Sequence, residues 1–285
     1  MIAHPGPVGP GVWRLPLPSR TPPPFDHTNT YLVGNNTETV LVDAGSDDPA
    51  VLDALETILN TLNLARPQAL LLTHTHSDHR TGAAALRERY GLEVYAHPLE
   101  LPRLEIPARA LEDGATLTVG TQTVNVHHTP GHSPGHLSFA LPSARTLLVG
   151  DLLTAEGSSF VGLPDGDVAA YLASLERLES LTATLGTSSH TVTLGPGHGP
   201  LVRNPGARLH EVRAHRLARE AEVAAALGGG PLTLAELKKH IYPDLPEALT
   251  GLAEGSLRAH LVKLTGEGRV VEVGTGTETR WRVPR

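Results

Sequence analysis

Cysteine is absent from this chain of 285 residues, and its absence excludes several kinds of site. Disulfide bridges, zinc sites with thiolate ligands and iron–sulfur clusters all require cysteine. Aromatic residues are scarce as well, at 4%, so the chain has no extended platform on which bases could stack. No apolar run approaches the roughly 20 residues that a membrane-spanning helix needs. A metal centre in this chain must therefore be built from histidine and carboxylate side chains.

The start of the sequence has no charged segment ahead of an apolar stretch, so we expect no signal peptide, a cytoplasmic protein and no membrane partner. Histidine, by contrast, is abundant, with 16 residues. The first 207 positions carry 11 Lys and Arg against 20 Asp and Glu, whereas residues 208–285 carry 12 against 10. Two divalent cations would offset part of the acidic excess, although acidic surfaces are also common in proteins without metals.

The length predicts two domains of unequal size. We place a larger domain at 1–207, a linking helix with a glycine-rich linker at 208–230, and a small domain at 231–285. The larger domain mixes many strands with few helices, which favours an α/β fold of sheets covered by helices. Its predicted helices are one capped by Asp47 or Asp48 and one over 168–185. Its predicted strands are 30–33, 39–42, 69–73, 94–96, 117–119, 123–126, 146–149 and 191–194.

The C-terminal part has a different pattern. A helix over 208–227 ends at three consecutive glycines, and helices over 233–241, after Pro246 and over 255–264 follow it. Two strands, 269–273 and 279–283, flank a glycine turn at 274–276. Three short helices before a β-hairpin predict a winged-helix module, which is related to the helix-turn-helix. A packing or dimerisation subdomain of a homo-oligomer is the alternative, because residues 256–264 carry only Arg258 and Lys263 as basic side chains.

Metal-binding side chains follow the apolar run that ends at Thr73. His74 and His76 alternate along extended backbone and point the same way, so both can bind one ion, while Asp78 and His79 can reach a second. Three histidines and an aspartate within six residues are hard to explain as ordinary core or surface histidines.

Four more donors follow other predicted strands, each after a tight turn with glycine or proline: His132, His136, Asp151 and His198. The set fits two metal ions. One site takes His74, His76 and His132; the other takes Asp78, His79 and His198. Asp151 bridges them, and His136 supports a ligand by hydrogen bonding. Imidazole and carboxylate suit Zn²⁺, and also Mn²⁺ or Fe²⁺. Two ions about 3.5–4 Å apart can share a hydroxide that acts as a nucleophile in hydrolysis.

These residues resemble the metallo-β-lactamase superfamily. The resemblance implies an αββα sandwich, in which two facing mixed sheets lie between outer helices and the metals lie at one sheet edge. It also implies the ligand roles given above. The classical zinc β-lactamases are secreted and usually carry cysteine where this chain has Asp151. A β-lactamase in the strict sense is therefore not expected.

A closer resemblance runs along nearly the whole chain, through residues 28–34, 111–117, 196–202, 213–216 and 257–268. These segments are similar to the β-lactamase-like protein 2 family, which joins the metal domain to a C-terminal winged helix. The animal members of that family are single-stranded RNA endoribonucleases. Residues 133–135, which follow His132, instead resemble the glyoxalase II pattern.

Three functions are compatible with these features. In the first, a metal-dependent phosphodiesterase cleaves single-stranded RNA: the shared hydroxide attacks phosphorus, Asp78 and Asp151 act as catalytic residues that orient and bridge, and the basic tail attracts the RNA backbone. In the second, an enzyme of the glyoxalase II kind hydrolyses a small thioester or ester. In the third, a vestigial metal site accompanies a non-enzymatic nucleic-acid binder, which an intact donor set disfavours.

Several residues outside the donor set have structural explanations. Asn29 is expected in a turn beside the site. Phe160 and Tyr171 are expected in the core rather than stacked on a base. His97, His127 and His128 are expected in the core or next to a ligand, not bound to a metal.

Overall fold

Two β-sheets face each other in the computed structural model, which describes residues 4–186, 191–274 and 279–284. The first sheet has seven strands in the order β1-β2-β3-β4-β5-β6-β7 and the second has five in the order β12-β11-β10-β9-β8. The strands are β1 (Gly6–Gly9), β2 (Val12–Pro18), β3 (His27–Gly34), β4 (Thr39–Val42), β5 (Pro67–Leu71), β6 (Glu93–Ala96), β7 (Arg109–Ala110), β8 (Thr116–Val119), β9 (Gln122–His128), β10 (Leu137–Leu141), β11 (Thr146–Gly150) and β12 (Thr193–Pro196).

Helices α1 (Pro49–Thr61) and α3 (Ala83–Tyr90) cover the outer face of the first sheet, and α4 (Val168–Leu185) covers that of the second. The single turn α2 (Ser77–Arg80) lies between β5 and α3 in the chain. Alternation along β3 explains this layering, since successive side chains of a strand point to opposite faces. Tyr31 and Val33 pack between the sheets, whereas Leu32 packs with Leu55 of α1 on the outer face. Burying each such leucine contributes roughly 1.5–3 kcal/mol. The predicted αββα sandwich is confirmed.

Proline restricts where β2 can pair. The neighbouring strand β1 reaches only as far as Arg14, so Pro16 and Pro18 pair with β3 alone. Since proline has no N–H to donate, this half of β2 can serve only as an edge. This half of β2 is therefore an edge, although the other half of the same strand lies inside the sheet.

The C-terminal residues form a small domain of their own. Its sheet has the order β13-β15-β14, and Leu257, Leu261 and Trp281 lie in its core. The predicted winged helix is confirmed. The predicted turn at 274–276 extends to residues 275 and 276, which lie outside the described residues. The elements of this part are α5 (Pro205–Gly228), β13 (Leu232–Thr233), α6 (Leu234–Ile241), a short 3-10 helix (Glu247–Leu249), α7 (Thr250–Gly266), β14 (Val271–Val273) and β15 (Arg280–Arg282).

Helix α5 belongs to both cores. Near its start, Leu209 and Val212 pack with the outer face of the second sheet, and near its end Val223 and Leu227 pack inside the winged-helix domain. The helix begins at Pro205, three residues before the predicted start. One continuous helix thus fixes the position of the small domain relative to the sandwich.

Some elements were missed by the sequence patterns. Strand β10 is buried at every position, so it has no apolar–polar alternation to mark it. Helix α3 is short and buries only Ala83 and Leu86, and α7 begins at Thr250, five residues before the predicted helix. Within the described ranges, no helix is both long and apolar enough to cross a membrane.

Candidate metal centre

The carboxyl ends of four strands meet at one edge of the sandwich. The segment after β5 carries His74 and His76 and continues into the single turn of α2, which carries Asp78 and His79. Parallel pairing of β4 with β5 and of β11 with β12 brings the ends of these strands to the same side. The remaining donors lie after β9, β11 and β12: His132, Asp151 and His198.

Three imidazoles form the first donor group. His76 Nδ1 lies 3.1 Å from His74 Nε2 and 2.9 Å from His132 Nε2, and one nitrogen of each ring lies within 4.8 Å of the others. All three rings are buried or half-buried. This is the predicted group of His74, His76 and His132.

The second donor group lies beside the first. His79 Nε2 is 3.2 Å from His198 Nε2, which is 3.3 Å from Asp78 Oδ2. The Asp151 carboxylate lies between the groups: its Oδ2 is 3.3 Å from His198 Nε2 and 3.7 Å from His132 Nε2, and its Oδ1 is 3.3 Å from His79 Nε2. The structure therefore brings all seven predicted ligand side chains together.

Hydrogen bonding fixes which ring nitrogens face inward. A neutral imidazole has one N–H and one lone pair, so a ring that donates outward presents its lone pair to the centre. His76 lies with its Nε2 3.2 Å from Asp165 Oδ2, which leaves Nδ1 facing the other rings. The outer Nδ1 atoms of the other four rings contact the Thr73 hydroxyl (His74), Asp43 (His79), the Phe160 carbonyl (His132) and the His27 carbonyl (His198).

These lone pairs fit divalent cations. Nitrogen atoms about 3 Å apart repel one another when neither carries a proton, and a cation removes that repulsion. Asp151 Oδ1 is buried and accepts no hydrogen bond from any described residue, so it too is free to bind a cation. The donor set thus suits two ions, one at each group, with Asp151 between them.

Burial favours the metal-binding protonation states. It lowers the pKa of His74 well below its ordinary value and that of His132 to about 4, so both rings are neutral at pH 7. Burial opposes the charge of Asp151, but His79 and His198 outweigh it and hold the pKa of this carboxyl well below its usual range. Neutral imidazoles and an ionised carboxylate are the forms that ligate metals, so His74, His132 and Asp151 are ready to bind. At His79 and His198 burial is outweighed by the Asp151 carboxylate, which raises the pKa of His79 well above its ordinary value and that of His198 to about 10, so a cation must displace a proton from these two rings.

His136 lies behind the donor groups. Its Nε2 accepts the backbone N–H of Asp151 at 3.2 Å, and its Nδ1 is 3.0 Å from the Thr129 hydroxyl. A methyl group at Gly150 would approach His136 Nε2 to 2.6 Å. The ring therefore positions the backbone that carries Asp151, and it belongs to neither donor group.

Asp43 was missed by the sequence analysis. It directly follows β4, with its backbone in the left-handed region at φ 61°. Its carboxylate accepts the Thr73 N–H at 2.8 Å and lies 2.8 Å from His79 Nδ1. The signal was present in the sequence, because an aspartate directly after a short apolar strand has the same setting as Asp151. A single acidic residue without a glycine turn did not stand out.

Asp165 was missed as well. Besides His76, it binds both terminal nitrogens of Arg103, at 2.6 and 2.8 Å. Arg103 and Asp165 come from separate connecting segments with no metal-binding residue in sequence next to them. No local pattern could have indicated this contact.

The expected turn at Asn29 is wrong. Asn29 lies within β3 and is buried, and its side-chain amide donates to the carbonyls of Pro196 and Gly199 at 2.9 Å. The Thr28 hydroxyl donates to the Asp78 carbonyl at 2.8 Å. These side chains face a sandwich edge where backbone carbonyls need donors, so they tie two ligand-bearing loops to the first sheet.

His97, His127 and His128 belong to neither donor group. His97 stacks on His128 with ring centroids 4.1 Å apart, and His127 contacts Arg177. Tyr171 is buried, as expected, and donates to the Leu152 carbonyl. Phe160 does not lie in the core: its side chain is exposed on the wall of a cleft above the donor groups, and its backbone carbonyl contacts His132 Nδ1.

A cleft of about 740 Å³ opens over the donor groups. Its floor includes His76, His132, Asp151 and His198. Both the sandwich and the winged-helix domain supply its walls: residues 20–25, residues 154–161, three residues of α5, and residues of the segment 242–256. About half of these wall side chains are apolar, and the basic ones are Arg20, His215, Arg216 and Arg219.

Comparisons with known proteins give consistent results for both parts of the chain. Residues 23–185 match the family described as Metallo-beta-lactamase superfamily, and residues 233–281 match the Beta-lactamase associated winged helix domain. An atrochrysone carboxyl ACP thioesterase from Aspergillus chevalieri is 30% identical over 268 residues, which is 89% of this chain and 80% of the relative. A beta-lactamase-like protein 2 homolog from Caenorhabditis elegans is 28% identical over 257 residues, covering 87% and 83% of the two chains.

Solved structures show the same architecture. A metallo-beta-lactamase family protein from Thermus thermophilus is similar over 96% of this chain and 99% of its own, with a TM-score of 0.77 and 29% identity. TTHA1623, solved in a di-iron-bound form, covers 68% of this chain and 98% of its own length, with a TM-score of 0.55 and 34% identity.

Proposed function

Because the chain belongs to the metallo-β-lactamase superfamily, as its motifs predicted, we propose that it is a two-metal hydrolase of an acyl thioester or ester. One observation carries this proposal: the two donor groups form the floor of a cleft whose walls include three prolines, three leucines and two phenylalanines. Apolar walls accommodate an acyl group, whereas a polyanion favours basic ones.

Seven side chains would hold the cations in the way that the sequence predicted. His74, His76 and His132 bind one ion, Asp78, His79 and His198 bind the other, and Asp151 serves both. When bound, two divalent ions supply a nucleophilic hydroxide at neutral pH and stabilise negative charge on the attacked group. Imidazole and carboxylate donors favour Zn²⁺, and Fe²⁺ and Mn²⁺ are the alternatives; the similar TTHA1623 has a di-iron-bound form.

In the proposed reaction, the acyl carbon loses its bond to sulfur and gains a bond to oxygen. An oxygen derived from water bonds to the acyl carbon, the bond from that carbon to sulfur breaks, and the thiolate takes up a proton, which gives a carboxylic acid and a thiol. Asp43 and Asp165 orient the rings of His79 and His76 throughout. The cleft walls exclude water from the acyl group and hold its carbonyl over the floor.

Single-stranded RNA, predicted from the resemblance to the β-lactamase-like protein 2 family, is the second candidate substrate. The observation in its favour is the set of cationic side chains at the cleft, of which Arg20 is exposed. The same donor groups would then direct attack at phosphorus in place of an acyl carbon. Fewer than a fifth of the wall side chains are basic, which is why we rank an acyl substrate first.

A parallel assay separates these candidates. Protein loaded with Zn²⁺, Mn²⁺ or Fe²⁺ is given a series of acyl thioesters, bis(p-nitrophenyl) phosphate and a labelled RNA oligomer, with His76→Ala as the matched inactive control. We expect metal-dependent release of thiol and little phosphodiester cleavage. Faster cleavage of RNA than of any thioester would favour the second candidate. A protein that retains no metal and is inert toward all three substrates would overturn the proposal and favour a non-enzymatic role.

A further inference from the structure

The winged-helix domain lies over the donor groups as well as beside the sandwich. The segment from Tyr242 to Ser256 lines the same cleft as His132 and His198, although more than 40 residues of sequence separate it from the last metal-binding position. We infer that this domain forms the acyl-binding wall of the cleft and that Leu245, Leu249 and Leu252 select the apolar part of the substrate. The inference rests on the proposed function and names the substrate class within it.

Exposed apolar side chains converge on this wall. Leu249 and Leu252 are 45% and 44% exposed, and Phe160 faces them from the sandwich side at 38%. Large apolar side chains that stay accessible and line one concave surface are typical of a ligand site. Single apolar side chains exposed on a convex surface are common and do not indicate one. Phe25 and the prolines before it complete the apolar lining.

The wall is held rigidly against the sandwich. The Leu163 N–H donates to the Gly255 carbonyl at 3.2 Å, and Ala259 of α7 belongs to the core of the second sheet rather than to that of its own domain. A methyl group at Gly162 would come within 2.8 Å of the Gly255 backbone, so these two segments of the chain are in close contact. A fixed wall can discriminate between substrates by size, since it cannot retreat from a group that is too large.

The same packing leaves α7 unsuited to DNA. In a helix-turn-helix protein the recognition helix enters the major groove with an exposed polar face. Here α7 buries Ala253, Ala259 and His260, and Lys263 is paired with Glu220 and Glu267 at 2.6 Å. Arg258 is then the exposed basic residue of this helix. The helix that would read a duplex instead builds the cleft.

The cleft volume indicates the size of the acyl group. At about 740 Å³, it lies within the range of roughly 300–1,000 Å³ for sites that enclose molecules of drug size. A short acyl group such as acetyl would leave most of the apolar wall in contact with water. We therefore expect a medium-length aliphatic or an aromatic acyl group.

Acyl selectivity tests this inference. The double variant Leu249→Ala/Leu252→Ala enlarges the cleft, and Leu249→Trp narrows it; kcat/KM is measured on thioesters from acetyl to dodecanoyl. We expect the double variant to lose about tenfold on the best substrate of the wild type while acetyl thioester is nearly unaffected, and the tryptophan variant to shift preference toward shorter chains. Leu217→Ala is the matched control, since Leu217 is 43% exposed on α5 and lies outside the cleft.

A binding measurement keeps the inference testable apart from catalysis. Decanoate is titrated into metal-loaded protein by calorimetry, and we expect the double variant to bind it about tenfold more weakly while Leu217→Ala matches the wild type. If no thioester is hydrolysed by the wild type, the proposed function fails, and decanoate binding alone still decides the role of the wall. Unchanged acyl selectivity together with unchanged decanoate affinity in the double variant would overturn the inference.

Discussion

Asp43 Oδ2 lies 2.8 Å from His79 Nδ1, and this contact determines which nitrogen of the ring faces the second donor group. The same carboxylate accepts the backbone N–H of Thr73, one residue before His74. One buried side chain therefore orients a ligand of one group and positions the start of the segment that carries the other. The contacts with His79 and with Thr73 both require the two carboxylate oxygens of Asp43 to be acceptors.

Asp43→Asn should weaken metal binding. An asparagine amide has an NH2 donor group in place of one acceptor oxygen, so the His79 ring loses the contact that holds its Nε2 lone pair toward the centre. We expect 10- to 100-fold weaker affinity for one of the two ions, with a parallel loss of activity. Metal content after dialysis and competition with a chelator measure this effect.

Asp47→Asn is the control for that substitution, because Asp47 is exposed and close in sequence. It should bind metal as the wild type does. Two ions retained at wild-type affinity in Asp43→Asn would show that the His79 contact does not orient the ligand.

Gly197→Ala should disrupt the centre without unfolding the chain. A methyl group there would lie 2.2 Å from Asp151 Oδ1 and 2.7 Å from His79 Cε1, so one of these side chains must move. We expect at least one ion to be lost and activity to fall by two orders of magnitude or more, measured by metal analysis and by the thioester assay. Gly206→Ala, in α5 with open space around it, should be neutral or stabilise by about 0.5–1 kcal/mol. Equal metal content in the two variants would contradict the steric explanation.

Metal removal should lower stability. The donor groups are assembled only in the folded chain, so ions that bind there stabilise it by about 2.7 kcal/mol at a free concentration 100 times the dissociation constant. Chelation should lower the midpoint of thermal unfolding, and added Zn²⁺ should restore it. His198→Ala should recover only part of the difference, because it lacks a donor of the second group. If a chelator left the midpoint temperature of thermal unfolding unchanged, these side chains would hold no ion.

Acid should destabilise the protein through His260, whose two ring nitrogens have no hydrogen-bond partner among the described residues. Burial, with help from the charge of Arg216, lowers its pKa from 6.5 to about 4; Arg219 and Lys263 act in the same direction and Glu220 opposes them. Below pH 6.5 the unfolded chain therefore binds a proton that the folded chain does not. Stability from this site is complete above pH 6.5 and falls by roughly 2 kcal/mol between pH 6.5 and 5.

Urea unfolding at pH 7 and pH 5 measures this loss. His260→Leu should be less sensitive to pH than the wild type by about that amount, whereas His210→Leu, at an exposed position, should keep the wild-type sensitivity. Identical pH dependence in all three proteins would show that His260 does not titrate between folded and unfolded states.

The sequence predicted the parts of the site that are local in the chain. His74, His76 and Asp78 lie next to one another after a buried strand, and the glycine turns marked His132 and His198. Contacts made by side chains from distant segments left no such pattern. Asp165 contacts His76 and also binds Arg103, which comes from a distant segment. The leucines of the cleft wall come from a domain whose packing the sequence left open.

The elements of the fold also differ in how well the sequence predicted them. Helix α4 has clear apolar periodicity, and its position was predicted. Strand β10 is buried on both faces and lies between a turn and Pro142, so it resembles any short apolar segment. Asn29 has the composition of a turn, but its amide is needed inside the sandwich edge, and tertiary hydrogen bonding outweighs the local preference.

The length of helix α5 determines how the leucine wall of the cleft is oriented relative to the donor groups. Each residue of an α-helix adds about 1.5 Å of length and about 100° of rotation, and α5 runs without interruption from the sandwich core to the core of the small domain. Deleting one residue between Val212 and Val223 would swing the leucine wall around the helix axis, away from the donor groups. Loss or gain of a full turn would instead keep its direction and shift it along the axis. The length of this one helix is thus a means by which evolution, or an engineer, could change the range of accepted substrates without altering a single residue that faces them.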